Sequence, residues 1–149
     1  MIILIYGQSG SGKTTISNSL QKQPVFNGKA IKLDGDEWRE ITNNKTYDKE
    51  SRLKNLQSAF SLAINLENQG FIPILSFVCP YEQSREYLRS KANKLVEVYL
   101  KYTTDRGKNS FSVKDFELPI ENNNKSLILD TTKNSLDFCL KKIIQKSAK

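Results

Sequence analysis

Gly7-Gln8-Ser9-Gly10-Ser11-Gly12-Lys13-Thr14 is the segment of this chain best equipped for chemistry. It fits the pattern G-x-x-x-x-G-K-[ST], and it stands directly after an apolar run, Ile2 to Tyr6, and directly before a helix-compatible stretch, residues 13–22. In that setting Gly7, Gly10 and Gly12 let the backbone curl until successive N–H groups face phosphate oxygens, and the following helix adds its positive dipole end. Lys13 then reaches the β and γ phosphates, and the Thr14 hydroxyl ligates Mg²⁺. The segment predicts a bound nucleoside triphosphate with its magnesium.

A second constellation follows at Asp34-Gly35-Asp36, placed at the carboxyl end of a second short apolar run, Ala30 to Leu33. Ligands bind at that edge in open α/β sheets. If this strand neighbours the one before the glycine-rich loop, both carboxylates lie over the γ phosphate. One of them would then hold Mg²⁺ through its waters while the other orients an acceptor hydroxyl, as in-line transfer requires. The alternative is a solvated turn in which Gly35 supplies a positive φ.

Composition removes competing chemistries. The 149 residues include no histidine, which excludes Ser/His and Cys/His nucleophiles, imidazole bases and His-ligated zinc or haem. Two cysteines, Cys79 and Cys139, are too few for a disulfide framework or a four-thiolate site and read as reduced, buried small hydrophobes. The N-terminal apolar run is too short for a signal peptide and no later run approaches a membrane span, so the reading is cytoplasmic and without a membrane partner. The net charge of +7 is uneven, with 9 basic and 7 acidic residues in 1–75 against 14 and 9 in 76–149. Such a surplus suits a nucleic acid or a small phosphorylated substrate.

The elements that must position these residues alternate. Short strands are expected at 2–6, 30–33, 71–78, 95–100 and 126–129, with a long helix at 48–69 capped by Asp48 and ended by Gly70. Residues 81–92 read as a charged surface helix, and Asn134 with Asp137 resembles a capping pair opening a last helix striped by Leu136, Leu140, Ile143 and Ile144. Alternation implies parallel pairing, hence a single three-layer α/β domain over residues 1–149, a P-loop NTPase fold with a five-stranded parallel sheet. Residues 101–125 are polar and aperiodic, with Asn122-Asn123-Asn124 as a low-complexity spot, and read as a lid.

Taken together, these segments resemble the adenylylsulfate (APS) kinases, P-loop enzymes that phosphorylate a ribose hydroxyl of APS to give PAPS. The resemblance runs in order through the loop Gly7 to Thr15, Leu33-Asp34-Gly35-Asp36-Glu37-Trp38-Arg39, Arg52-Leu53-Lys54-Asn55 and Ser76-Phe77-Val78-Cys79-Pro80-Tyr81 with Arg85. It continues through Leu95 to Leu100, Asp115-Phe116-Glu117-Leu118-Pro119 and Leu127 to Thr131. It implies ATP and Mg²⁺ as cofactors, held by Gly7, Ser9, Gly10, Ser11, Gly12, Lys13, Thr14 and Thr15, with Thr14 and Asp34 toward the metal. Asp36, Asp34 and Lys13 become the catalytic set, and Arg39, Arg52, Asn55, Ser76, Phe77 and Phe111 the substrate-binding set. Two guanidiniums suit a phosphosulfate or diphosphate anion.

Departures concentrate on the acceptor side. The family's long basic lid is reduced to Thr103-Thr104-Asp105-Arg106-Gly107-Lys108-Asn109, where Arg106 is the candidate to clamp nucleotide phosphates, and Glu37-Trp38 sets a bulky indole beside the substrate. A short lid leaves room for completion by a partner subunit, as in a homodimer. APS is therefore the first acceptor expected, with cytidine diphosphoramidate as the alternative inside the family. A polynucleotide or modified-base kinase is the alternative outside it, although no basic stripe interleaved with aromatics supports nucleic-acid binding.

Overall fold

This computed structural model of the chain describes residues 1–120 and 125–149. The Asn122-Asn123-Asn124 spot lies outside the described residues. Five strands form one sheet in the order β2-β3-β1-β4-β5, every neighbouring pair parallel. They are β1 (Ile2–Tyr6), β2 (Ala30–Asp34), β3 (Ile72–Phe77), β4 (Leu95–Lys101) and β5 (Ser126–Asp130). The unbroken apolar run of β1 is explained by its place: it is central, and all five of its residues are buried.

Both faces of the sheet are covered. Ile3 and Ile5 pack with Ile16 and Leu20 of α1 (Lys13–Gln21) and with Cys139, Leu140 and Ile143 of α5 (Leu136–Ser147). Ile2, Leu4 and Tyr6 point the other way, onto Leu56, Ala59, Phe60 and Ala63 of α3 (Lys49–Asn68) and Leu88 of α4 (Glu82–Lys91). The result is the expected three-layer α/β architecture. Cys79 and Cys139 are both buried free thiols. Among the described residues, no helix is long and apolar enough to cross a membrane.

The structure decides two points that the sequence left open and corrects two expectations. β2 does not neighbour β1; β3 lies between them, with Asp34 opposite Ser76 and Ser76 opposite Ile5. Asp34-Gly35-Asp36 is no solvated turn, because Asp34 caps a seven-residue helix α2 (Gly35–Ile41) by accepting from the Asp36 N–H at 3.1 Å. The helix α4 is not merely a surface element: Arg85 is fully buried on its inner side. The cap of α5 is Ser135 rather than Asn134, its side chain accepting from the Phe138 N–H at 3.2 Å.

Among its described residues the connection from β4 to β5 carries no α-helix and is irregular apart from a 3₁₀ turn at Asn109–Phe111. It is nonetheless packed. Phe116 stacks on Tyr6 with ring centroids 6.5 Å apart and planes 10° apart, and Val113 is buried. This aromatic seat explains how a polar segment can lie down on the sheet's carboxyl edge.

Candidate active site

The loop between β1 and α1 is shaped first by sterics. A Cβ at Gly7 would lie 2.5 Å from the Leu100 carbonyl oxygen of β4, and Gly12 carries φ +101 as it opens α1. Four consecutive carbonyls of the loop are then held by side chains. Lys13 Nζ donates to Gln8 O at 2.9 Å, Tyr102 OH to Ser9 O at 2.5 Å, Arg106 Nη1 to Gly10 O at 2.8 Å, and Thr131 Oγ1 to Ser11 O at 2.8 Å. The C=O and N–H of one peptide point opposite ways, so anchoring Ser9 O and Ser11 O turns the Gly10 and Gly12 amides the other way, an arrangement suited to an anion.

That cradle opens into a cavity of about 340 Å³ lined by Ser9, Gly10, Gly12, Lys13, Thr14, Thr15, Asp34, Gly35, Asp36, Ser76, Phe77 and Val78. Burial strips water from the Lys13 ammonium and pushes its pKa down to about 8, against the opposing pull of the Asp34 and Asp36 carboxylates. Thr14 Oγ1 donates to Asp34 Oδ2 at 3.1 Å, so the intervening β3 does not separate the two: α1 brings Thr14 across to the end of β2. This hydroxyl and carboxylate are hard oxygen donors, and with phosphate and water they fit Mg²⁺, which needs few protein ligands. Among the described residues no group of three or more His, Cys, Asp or Glu is placed to hold a metal ion.

Gly35 owes its identity to packing and not to a positive φ. A Cβ there would meet Phe77 Cδ1 at 3.3 Å and Ser76 O at 3.4 Å. The close approach lets the first turn of α2 present Asp36 to the cavity. Ser76 lines the same cavity, and its buried hydroxyl makes no hydrogen bond among the described residues.

A second cavity, about 850 Å³, shares the wall formed by Ser9, Gly35, Asp36, Phe77 and Val78. It collects Arg39, Arg52, Asn55, Phe77 and Phe111 from the sequence-predicted substrate set, and adds Lys45, Tyr47 and Lys108. Arg39 is fixed over the Tyr47 ring at 4.3 Å while its Nη1 donates to Thr46 O at 2.7 Å and Asn44 Oδ1 at 3.1 Å. Arg52 Nη1 donates to Tyr81 OH at 3.5 Å, and that hydroxyl donates to Asp115 Oδ2 at 3.0 Å. Phe111 stands 65% exposed at the mouth, with Lys108 Nζ 5.5 Å above its ring. The cavity is thus cationic with aromatic walls, and Asp36 stands at its junction with the phosphate-sized cradle.

Two expectations are redirected here. Trp38 does not intrude on the substrate side; its Nε1 donates to Ser58 Oγ at 2.8 Å and its ring packs toward the α3 cluster. Arg106 meets the loop through backbone and threonine, donating to Gly10 O, Thr131 Oγ1 and Thr131 O, with its guanidinium 4.7 Å over the Tyr102 ring. It braces the cradle. Sequence reasoning missed Tyr102, Thr131, Lys45, Tyr47 and the side chain of Gln8. Gln8 is a variable position of the motif, Thr131 closes a segment read only as a strand, and the others belong to no pattern, so only tertiary structure reveals them.

A family model for adenylylsulphate kinase matches residues 1–111, from the first strand to the 3₁₀ turn of the β4–β5 connection. The chain belongs to the adenylylsulphate kinase family. A probable adenylyl-sulfate kinase of Archaeoglobus fulgidus is 39% identical over 100 residues, covering 66% of this chain and 64% of the relative, just under two thirds of its length. A cytidine diphosphoramidate kinase of Campylobacter jejuni is 27% identical over 163 aligned positions, covering 99% of this chain and 96% of that one. In three dimensions the Mycobacterium tuberculosis APS kinase CysC in complex with AMPPNP and APS superimposes with a TM-score of 0.83 at 18% identity, covering 99% of this chain and 97% of the other. At that identity the likeness concerns the fold, and it extends past residue 111 to the lid and the last strand and helix.

Proposed function

We propose that the chain transfers the γ-phosphate of ATP to a ribose hydroxyl of a small nucleotide-like anion, with APS as the acceptor. The observation that carries the proposal is the shared wall: Asp36 faces both a phosphate-sized cradle and a larger cationic cavity. A donor phosphate and an acceptor hydroxyl held on its two sides meet at this carboxylate. Arg39 and Arg52 balance the acceptor's anion, and Phe111 with Tyr47 offers faces for its base.

In this reading the acceptor O–H gives its proton to Asp36 as its oxygen bonds to the γ phosphorus, and the bond to the β-phosphate oxygen breaks to release ADP. Lys13 and the loop amides neutralise charge developing on the γ-phosphate oxygens. Thr14 and Asp34 would hold Mg²⁺, which supplies further charge neutralisation on the phosphates. The segment 102–116, tied to Ser9 and Gly10 of the loop and lining the larger cavity through Lys108, Phe111 and Val113, would limit access of water to the phosphate from that side.

The cytidine diphosphoramidate kinase of Campylobacter jejuni, which aligns with nearly the full length of both chains, favours a second acceptor for the same machinery. The test is purified protein with ATP and Mg²⁺ against APS, cytidine diphosphoramidate and a 5′-hydroxyl oligonucleotide. Formation of PAPS is expected. Phosphorylation of the cytidine compound alone moves the assignment to the second acceptor, and phosphorylation of the oligonucleotide alone overturns both.

Lys13 gives a further expected result. Its pKa of about 8 in the free protein rises again when triphosphate oxygens surround the ammonium, so binding favours the protonated form and weakens as pH climbs past 8. Calorimetry with a non-hydrolysable ATP analogue, in buffers of different ionisation enthalpy, should report uptake of roughly three quarters of a proton at pH 8.5. Zero uptake would mean that Lys13 does not face the phosphates.

A further inference from the structure

The grip of Gln8 on the lid differs in kind from the other braces of the loop. Its carboxamide Nε2 donates to Val113 O at 2.9 Å, and its Oε1 accepts from Val113 N at 2.9 Å. One side chain thereby satisfies both backbone groups of a residue 105 positions away, as a neighbouring strand would. Among the described residues, no other hydrogen bond ties 107–114 to the fold outside the lid. Earlier in the lid Tyr102 and Arg106 fasten it to Ser9 and Gly10; later the Glu117 N–H donates to Pro80 O at 2.7 Å. Between these anchors, Val113 is the buried apolar side chain, while Phe111 is exposed. The stretch that carries Lys108, Phe111 and Val113 into the larger cavity is therefore held at one residue, Val113, by its buried side chain and by the two bonds from Gln8.

We propose that Gln8 is a positioning residue that seats this wall of the acceptor cavity at a fixed distance from the phosphate cradle. The proposal rests on the reading of the larger cavity as the acceptor site. Both ends of the carboxamide are needed. Leucine offers neither a donor nor an acceptor, and a glutamate keeps the acceptor for Val113 N but sets a carboxylate oxygen against Val113 O. Either change frees the wall on the acceptor side while the loop carbonyls remain held by Lys13, Tyr102, Arg106 and Thr131. Acceptor recognition should suffer and nucleotide recognition should not.

The experiment compares the intact chain with Gln8→Leu and Gln8→Glu in three measurements. Hydrogen exchange at the Val113 amide should accelerate at least about tenfold once its partner is lost. The Kd of a non-hydrolysable ATP analogue should stay within about twofold, while the KM for APS, or for whichever acceptor of the panel is turned over, should rise about tenfold. Unchanged exchange at Val113 overturns the proposal, as does a loss of nucleotide affinity equal to the loss for acceptor. If the unaltered chain phosphorylates none of the acceptors, the proposed function fails while the Val113 exchange still decides the clamp. Should Gln8→Leu not fold, Gln8→Glu carries the same comparison with side-chain volume preserved.

Discussion

Asp36→Ala should lower turnover by a factor of about 10²–10⁴ while leaving the affinity for a non-hydrolysable ATP analogue within about threefold. The separation follows from where Asp36 stands. The loop amides, Lys13 and Thr14 form the cradle without it, and its own structural duty is discharged by its backbone N–H, which Asp34 Oδ1 accepts at 3.1 Å. Alanine keeps that N–H, so the cap of α2 survives and the thermal midpoint should move by no more than about 3 °C. What is lost is the carboxylate between donor and acceptor cavities. Asp36→Asn refines the result: it preserves shape and cannot take a proton, so its turnover should fall nearly as far. Asparagine at full activity would assign the base elsewhere and leave Asp36 with orientation alone.

Asp34 offers the contrast. Its two oxygens are committed to different partners, Oδ2 to Thr14 and Oδ1 to the Asp36 N–H. A substitution there disturbs the cap of α2, the bond to Thr14 and the proposed Mg²⁺ site at once. Carboxylates two positions apart therefore report on different things, and Asp36 is the cleaner probe of chemistry.

The phosphate cradle was legible because its determinants are local: a buried strand, three glycines and a helix start lie within thirteen residues, and the motif requires that sequence order. The larger cavity, the proposed acceptor site, was legible only by resemblance. Arg39, Arg52, Asn55 and Phe77 come from α2, α3 and β3, and nothing in their spacing shows that they share a cavity. Strand order was not legible either, since alternation fixes parallel pairing but not which strand lies beside β1. The need for glycine at position 35 was hidden in the same way: its reason is Phe77 at 3.3 Å, a neighbour 42 positions away in sequence that no local rule encodes. Trp38 was misplaced because an indole in a motif invites a ligand-facing reading, whereas its N–H found Ser58 one helix away.

Arg85→Met should cost about 3–5 kcal/mol of stability, the largest loss expected from one substitution outside the cradle. The guanidinium is fully buried, stacked 4.7 Å from the Tyr6 ring, and it spends its donors on three partners: Glu82 at 3.0 Å, Cys79 O at 2.8 Å and Glu117 O at 2.6 Å. Methionine replaces much of its volume and none of these bonds. Glu82 is not stranded, because Arg89 also holds it at 2.6 Å and in turn pairs with the buried Glu97. The penalty comes from the two carbonyls and from the charge balance: Arg85, Arg89, Glu82 and Glu97 form a neutral cluster that the substitution leaves with one negative charge in excess. Cys79 O matters doubly, since Cys79 sits at φ +45 without being glycine, a conformation that neighbouring bonds must hold. Arg85→Lys should recover only part of the loss, because one ammonium cannot span a carboxylate and two carbonyls on different segments. Urea unfolding of the three proteins decides the matter. A loss below about 1 kcal/mol for methionine would show that the cluster's desolvation cost had been cancelling its bonds all along, the outcome known when a buried ion pair is exchanged for well-packed apolar groups.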